Sequence, residues 1–259
     1  MRKVLLLFIC IIFLSTLKSQ TFYPFQLIDL HVHLKGGFTI DDAIKKSTRE
    51  GIKYGIVVNC GIGFPVNSDN QIDSVINDLK RYPQFYRGMQ AEGREWVNNF
   101  SKKSMDKFDY VFTDAMTFTD EKGRRNRIWL KDETWIDNED QFMAFYVNTI
   151  VKILNTEPIN IYVNPTNLPV QMRDRYDAFW TPAYMDRVIQ AARKNKIAIE
   201  INNRYHIPSA AFITRAKKAG VKFTIGTNNL DANFSEDYAL EIINKCGLAE
   251  KDFYLPKKK

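Results

Sequence analysis

Two of the chain's three histidines lie two residues apart in segment 25–33, which reads Phe-Gln-Leu-Ile-Asp-Leu-His-Val-His. This pattern predicts a β-strand, and alternation along it would place Asp29, His31 and His33 on one face. Two imidazoles on one face can bind a metal ion from the same side, and imidazole is a common protein ligand of zinc. The segment therefore predicts a polar site or a metal site.

The rest of the chain alternates between short apolar runs, typical of buried strands, and amphipathic segments, typical of helices. Seven strands are predicted, near residues 25–33, 52–58, 85–91, 108–115, 159–163, 197–201 and 221–225. Apolar strands separated by helices indicate a parallel sheet covered by helices. A closed β/α barrel and an open doubly wound sheet both satisfy this pattern, and both place a binding site at the carboxyl ends of the strands.

Polar residues lie at or just beyond the ends of several predicted strands. They are Glu92, Asp114, Asn164, Glu200, Asn202 and Asn228. Glu200 would lie on the face of its strand opposite to the isoleucines. Burying an isolated carboxylate there would cost free energy. A single polar pocket at one end of the sheet accounts for all of these positions, and we expect these residues to converge there with His31 and His33.

In these segments the chain resembles the polymerase and histidinol phosphatase (PHP) family. The resemblance lies in Asp29-Leu30-His31-Val32-His33, Gly88-Met89-Gln90-Ala91-Glu92, Asp109-Tyr110-Val111-Phe112, Asn164-Pro165-Thr166, Ile199-Glu200-Ile201-Asn202 and Ile225-Gly226-Thr227-Asn228. It covers residues 27–247. It implies an α/β fold, a distorted (β/α)7 barrel similar to a TIM barrel, as a single domain over residues 20–259.

Several metal-ligand positions of that family carry other residues in this chain. The family's Thr-Asp-His motif corresponds to Val58-Asn59-Cys60-Gly61, its His-Pro histidine to Asn164, and its final aspartate to Asn228. The resemblance leaves His31, His33 and Glu92 as matching metal ligands. A full trinuclear site is therefore not expected, and the prediction is at most one divalent ion, Zn²⁺ or Mn²⁺.

The resemblance implies a hydrolase with a phosphoester as the default substrate. A metal-bound water would be the nucleophile, and Asp114 or Glu200 the general base. The candidate substrate-binding residues are Arg94, Asn164, Asn202, Asn203, Arg204 and Asn228. Two alternatives stay open: a metal-free barrel that binds a small polar ligand such as a sugar, and a metal-independent enzyme with an acid–base pair of carboxyl groups.

Three further features have predicted roles. The polar segment 117–138, with the run Arg124-Arg125-Asn126-Arg127, is predicted to be a mobile cover whose arginines could pair with an anionic ligand. His206 follows the sixth strand by several residues and is expected to make a structural or rim hydrogen bond. Cys60 and Cys246 could form one disulfide after export or remain two thiols.

The amino terminus and the composition restrict location and partners. A basic start followed by a short apolar run is typical of a signal peptide, here residues 1–19, so a secreted or periplasmic protein is expected, with a retained anchor as the alternative. Stable membrane insertion after signal removal is not expected. The net charge is +7, but no basic stripe interleaved with aromatic residues indicates nucleic acid. A small polar or anionic substrate is the expected partner.

Overall fold

Seven parallel strands close into a barrel in this computed structural model, which describes Tyr23 and residues 25–259. The predicted signal peptide lies outside the described residues. In barrel order the strands are β1 (Ile28–Val32), β2 (Lys53–Cys60), β3 (Tyr86–Ala91), β4 (Tyr110–Thr113), β7 (Ile161–Tyr162), β8 (Ala198–Asn202) and β9 (Phe223–Gly226). The closed barrel confirms the predicted fold and excludes the open sheet.

Helices cover the outside of the barrel. They are α1 (Ile40–Glu50), α2 (Asp69–Leu79), α3 (Trp96–Asn99), α4 (Lys102–Met105), α5 (Glu139–Thr156), α6 (Tyr176–Phe179), α7 (Pro182–Lys194), α8 (Ala210–Lys218) and α9 (Asp237–Cys246). Helix α1 begins with a capping box at Thr39 and ends at Gly51, whose φ is +68°. None of the helices in the described residues is long and apolar enough to cross a membrane.

The barrel wall separates two apolar clusters. The larger one joins outward-facing strand residues, among them Tyr162 and Ile199, to the surrounding helices. The smaller one is built from strand residues inside the barrel: Leu30, Val57, Tyr86, Tyr110, Phe112, Ile161, Val163 and Ala198. Because side chains two residues apart on a strand share a face, Glu200 projects to the interior with Ala198. The polar side chains at the carboxyl ends of the strands therefore lie next to the apolar cluster that fills the barrel interior.

Strict alternation fails in β1, which corrects one prediction. The pairing of β1 with β2 shifts register between Asp29 and Val32, so that Leu30 joins the inner cluster and His31 still reaches the interior. The His31 ring lies 4.6 Å from that of Phe112. Asp29 instead accepts hydrogen bonds from the Thr227 hydroxyl (2.6 Å) and from the backbone N–H of His31 (2.9 Å). Asp29 thus joins β1 to the segment after β9.

The segment after β4, predicted to be a mobile cover, contains regular secondary structure. It contains an antiparallel hairpin of β5 (Thr117–Thr119) and β6 (Arg125–Arg127), then a 3₁₀ turn at Lys131–Glu133. Its arginines pair locally: Arg124 with Asp120 and Asp137, and Arg127 with Glu133. These two arginines are held within the hairpin region, so their predicted pairing with an anionic ligand is corrected.

The two cysteines of the described chain are free thiols, which decides between the two alternatives. Cys60 is buried at the end of β2. Burial, followed by the nearby Glu92 carboxylate, raises the pKa of its thiol to about 12. Cys246 is half-buried at the end of α9.

Glu236 is a buried carboxyl that precedes α9. Its side chain is 4% exposed, and its Oε1 has no hydrogen-bond partner in the described part of the chain. Burial, and then the negative charge of Asp29, raise its pKa from 4.5 to about 8. The folded state therefore holds this proton more tightly than the unfolded chain. Protonation of Glu236 therefore stabilises the fold. This contribution is complete below the unfolded pKa of the carboxyl and is lost as the pH rises through about 8.

Glu236→Gln is expected to remove that pH-dependent loss. The variant should be more stable than the wild type by roughly 2–4 kcal/mol at about pH 8.5, with a much smaller difference at about pH 5. Thermal unfolding at both values measures the difference. Glu241→Gln, an exposed change on the same helix, is the control and should show no such trend. A gap between Glu236→Gln and the wild type that stays constant with pH would contradict this account.

Candidate active site

A buried pair of His31 and Glu200 lies at the carboxyl end of the barrel. His31 Nδ1 is 2.6 Å from Glu200 Oε1, and each side chain is 1% exposed. Since β9 lies between β1 and β8, this contact passes over β9. A Cβ atom at Gly226 would collide with Glu200 Oε1 and come close to His31. The glycine therefore leaves the space that the pair occupies.

Asparagines extend the network from the second oxygen of Glu200. Glu200 Oε2 accepts hydrogen bonds from the backbone N–H of Asn164 (2.8 Å) and from Asn202 Nδ2 (2.9 Å). Asn164 donates Nδ2 to Asp114 (2.8 Å), and its Oδ1 accepts from Asn202 and Asn228, both at 3.0 Å. Asn164 and Asn228 have φ of 48° and 45°, a region that asparagine adopts more readily than most residues. The structure thus brings these five predicted residues together.

A second arm of the network runs from His31 toward Glu92. His31 Nε2 is 3.2 Å from Gln90 Oε1, and Gln90 donates its amide to Glu92 Oε1 (2.9 Å), which also accepts from Asn59 (2.6 Å). With the Gln90 amide assigned this way, Nε2 must carry a hydrogen, so His31 donates from both ring nitrogens. Glu92 is half-buried, and its Oε2 has no hydrogen-bond partner among the residues described.

Asn59 and Gln90 have no role in the sequence prediction, although the sequence contains a signal for both. Each lies two residues after an inward-facing position, Val57 on β2 and Gly88 on β3. In a closed barrel this spacing places their side chains inside, at the carboxyl end. From the sequence alone an open sheet was also possible, and an open sheet has no interior toward which these side chains could point.

The charges of the site act on one another at short range. Burial, followed by the negative charge of Asp114, raises the pKa of Glu92 to about 7. Burial lowers the pKa of His33 to about 2, and the positive charges of His31 and Arg204 act in the same direction. His33 is therefore neutral. Its ring centroid lies 5.1 Å from that of His31.

Lys35 and Arg204 provide positive charge at the mouth of the barrel. Burial, and then the positive charge of Arg204, lower the pKa of Lys35. Lys35 is half-buried and Arg204 is exposed, and no salt bridge within the described residues involves either. Lys35 is absent from the predicted set of site residues. The mouth should therefore attract anionic ligands.

Two predicted substrate-binding residues have protein partners instead. Asn203 donates to the backbone of β9 and accepts a hydrogen bond from the backbone of α9. Arg94 pairs with Glu157 (2.9 Å) and donates to the Thr113 hydroxyl (2.7 Å). These contacts fix structure around the barrel, and we assign neither residue to substrate binding. The exposed His206 stacks on Tyr238, with centroids 5.0 Å apart, and takes no part in the His31 network.

The residues at the mouth do not fit the metal centre that the HxH motif predicts. Among the residues that the structure describes, no three histidine, cysteine, aspartate or glutamate side chains are placed to hold one ion. Both ring nitrogens of His31 and one oxygen of Glu92 already have hydrogen-bond partners. Amides, which bind transition metals poorly, fill much of the remaining pocket. The arrangement is better suited to proton transfer.

Comparison with known proteins finds similarity in fold to solved structures. No family model and no curated protein matches it. A similar solved structure is the crystal structure of histidinol phosphate phosphatase (HisK) from Lactococcus lactis subsp. lactis Il1403, complexed with zinc, L-histidinol and phosphate. It has 13% sequence identity and a TM-score of 0.56, and the match covers 86% of this chain and 95% of that one. This likeness confirms the PHP-like barrel fold.

A more distant match is a chain in the cryo-EM structure of archaeal ribonuclease P with mature tRNA. It has a TM-score of 0.41 and 13% identity, and the match covers 86% of this chain and 89% of that one.

Proposed function

We propose that this barrel hydrolyses small phosphate monoesters by acid–base catalysis. The buried Glu200–His31 pair carries the proposal, because Glu200 holds Nδ1 while Nε2 points toward Gln90 and Glu92. A carboxylate bonded to one imidazole nitrogen fixes the orientation of the ring and stabilises its protonated form. A substrate oxygen would accept from Nε2 in place of Gln90 Oε1, which lies 3.2 Å from it.

His31 and Glu92 have complementary roles in this proposal. The free Oε2 of Glu92 accepts a proton from water as the water oxygen bonds to phosphorus. His31 donates its Nε2 proton to the ester oxygen as the phosphorus–oxygen bond breaks, which releases an alcohol and phosphate. A proton then returns from Glu92 to His31 through solvent, so the cycle is balanced. Lys35 and Arg204 attract the phosphate group to the mouth.

Glu200 and Asp114, predicted as general bases, are assigned positioning roles. Glu200 is 1% exposed, and both of its oxygens are occupied by His31, Asn164 and Asn202. Asp114 accepts hydrogen bonds from Asn164 and from the backbone N–H of Met116. Each of these oxygens already has a protein partner, whereas Oε2 of Glu92 has none among the described residues.

The choice of a phosphate ester rests on two supports. Lys35 and Arg204 lie at the mouth without salt-bridge partners among the described residues, and the histidinol phosphate phosphatase that shares this fold was crystallised with phosphate and L-histidinol. The test is release of inorganic phosphate from glycerol 3-phosphate and p-nitrophenyl phosphate by the full chain. Turnover of both supports the proposal, and no turnover of either rejects it.

A single metal ion on His31, His33 and Glu92 is the second candidate. It is favoured by the zinc in the same histidinol phosphate phosphatase structure. Two observations argue against it: both ring nitrogens of His31 already have protein partners, and no three ligand side chains among the described residues are placed to hold one ion. No catalytic step is therefore assigned to a metal.

Calorimetric titration with Zn²⁺ and Mn²⁺ is expected to give no binding that depends on His31 and His33. The reason is that both ring nitrogens of His31 have protein partners and that no three ligand side chains of the described residues are placed to hold one ion. The comparison is between the wild type, the double variant His31→Ala/His33→Ala, and His206→Ala as the control. Binding tighter than about 10 μM that only the double variant abolishes would establish the metal candidate instead.

A further inference from the structure

A cavity of about 610 Å³ opens beside the barrel mouth. Its walls include the segments that follow β7 and β8. Asn164 lies in the first of these segments, and Asn202 is the last residue of β8. The residues that matter here are Arg173, Arg204, Tyr205, Asp177, Glu241 and Lys245. The cavity thus adjoins the site in the chain, and Arg204 is shared between the two.

Two arginines lie over one tyrosine in this cavity. The guanidinium of Arg173 is 5.5 Å from the centroid of the Tyr205 ring, and that of Arg204 is 4.9 Å from it. Neither arginine forms a salt bridge with another described residue, whereas the nearby Arg175 pairs with Glu139. Both arginines line the same cavity, so an anion bound there would offset their like charges.

The acidic residues of the cavity leave a net positive charge. Glu241 lies 3.9 Å from Lys245, so these two charges offset one another. Asp177 is then the one lining carboxylate that opposes two guanidinium groups. The cavity retains about one positive charge that a ligand can neutralise.

The cavity is joined to the proposed active site through Tyr205. The backbone N–H of Tyr205 donates to Asn202 Oδ1 (2.9 Å), and Asn202 donates to Glu200, the partner of His31. Arg204 also lines a second cavity of about 430 Å³ beside Asn228, so it lies on the ridge between the two. Asn228, which lines the second cavity with Arg204, donates to Asn164 of the His31 network, so Arg204 lies at the edge of that network.

We propose that Arg173, Arg204 and Tyr205 bind a second anionic group, a carboxylate or a phosphate, on the substrate. This inference rests on the proposed function for the position of the first phosphate. It defines the substrate class as phosphate monoesters that carry a further acidic group. Binding of the second group itself requires no catalysis and can be measured separately.

The binding experiment uses inorganic phosphate as the probe. Calorimetry on chelator-dialysed protein should detect a dissociation constant of about 1 mM, and Arg173→Gln and Arg204→Gln should each weaken it at least about fivefold. Arg193→Gln, an exposed arginine on α7, is the matched control and should bind as the wild type does. Loss in Arg204→Gln alone would place the phosphate at the mouth and overturn the inference, as would unchanged binding in both variants.

The kinetic experiment uses two esters that differ in one group. 3-Phosphoglycerate carries a carboxylate where glycerol 3-phosphate carries a hydroxymethyl group. The wild type should prefer the former about tenfold in kcat/KM, through KM, and Arg173→Gln should remove this preference without slowing glycerol 3-phosphate. Equal kcat/KM values in the wild type would overturn the inference and leave the proposed function intact. Arginine-dependent phosphate binding without any turnover would reject the proposed function alone.

Discussion

Replacing His31 with glutamine is expected to lower kcat for glycerol 3-phosphate roughly 10²–10⁴-fold. The alkoxide of glycerol is a poor leaving group and needs the proton of His31 Nε2, which an amide cannot supply. p-Nitrophenolate leaves without a proton, so hydrolysis of p-nitrophenyl phosphate should fall about tenfold or less. Phosphate release from both substrates, with the wild type and the variant compared at one pH, measures this difference.

The third histidine supplies the control for this experiment. His206→Gln changes an exposed ring that stacks on Tyr238 and should leave both rates within about twofold. Thermal unfolding of the His31 variant shows whether its fold persists. If the variant is folded and loses the same factor on both substrates, His31 does not act as the acid that protonates the leaving group.

Glu92→Gln is expected to lower kcat about 10²–10³-fold on both substrates. Attack by water is common to the two reactions, and the amide cannot accept the proton from water. Glutamine keeps the size of the side chain and can still accept a hydrogen bond from Asn59, so the fold should be retained. The measurement is again phosphate release, with circular dichroism as the check on folding.

Glu95→Gln is the matched control for Glu92→Gln, because Glu95 is an exposed carboxylate three residues away in the same segment. It should leave kcat within about twofold. Wild-type activity in Glu92→Gln would show that another group activates the water. The hydrogen-bonded Asp114 would then be the next residue to replace.

The fold could be predicted because seven strand-and-helix intervals repeat in the sequence, each with apolar residues suited to a parallel sheet. Closure of the barrel depends on pairing between β1 and β9, which lie at opposite ends of the chain, so periodicity alone could not decide it. The predicted face of Asp29 failed because the register shift in β1 arises from pairing with β2. The hairpin of residues 117–127 was missed because its strands are short and polar.

The sequence predicted which residues form the site better than it predicted which of them contact one another. His31, Glu92, Asp114, Asn164 and Glu200 all follow from their positions at strand ends, and the structure joins them in one network. Which of these groups bond to one another depends on the distances across the barrel, and a sequence does not contain these. The HxH pattern favours a metal, whereas the contact of its first histidine with Glu200 favours an acid–base pair.

The most direct test of metal-independent acid–base hydrolysis is the rate of phosphate release after exhaustive dialysis against a chelator. The account predicts that the wild type retains its kcat for glycerol 3-phosphate within about twofold, and that His31→Gln and Glu92→Gln remain impaired under the same conditions. Activity that disappears on chelation and returns with Zn²⁺ or Mn²⁺ would contradict it.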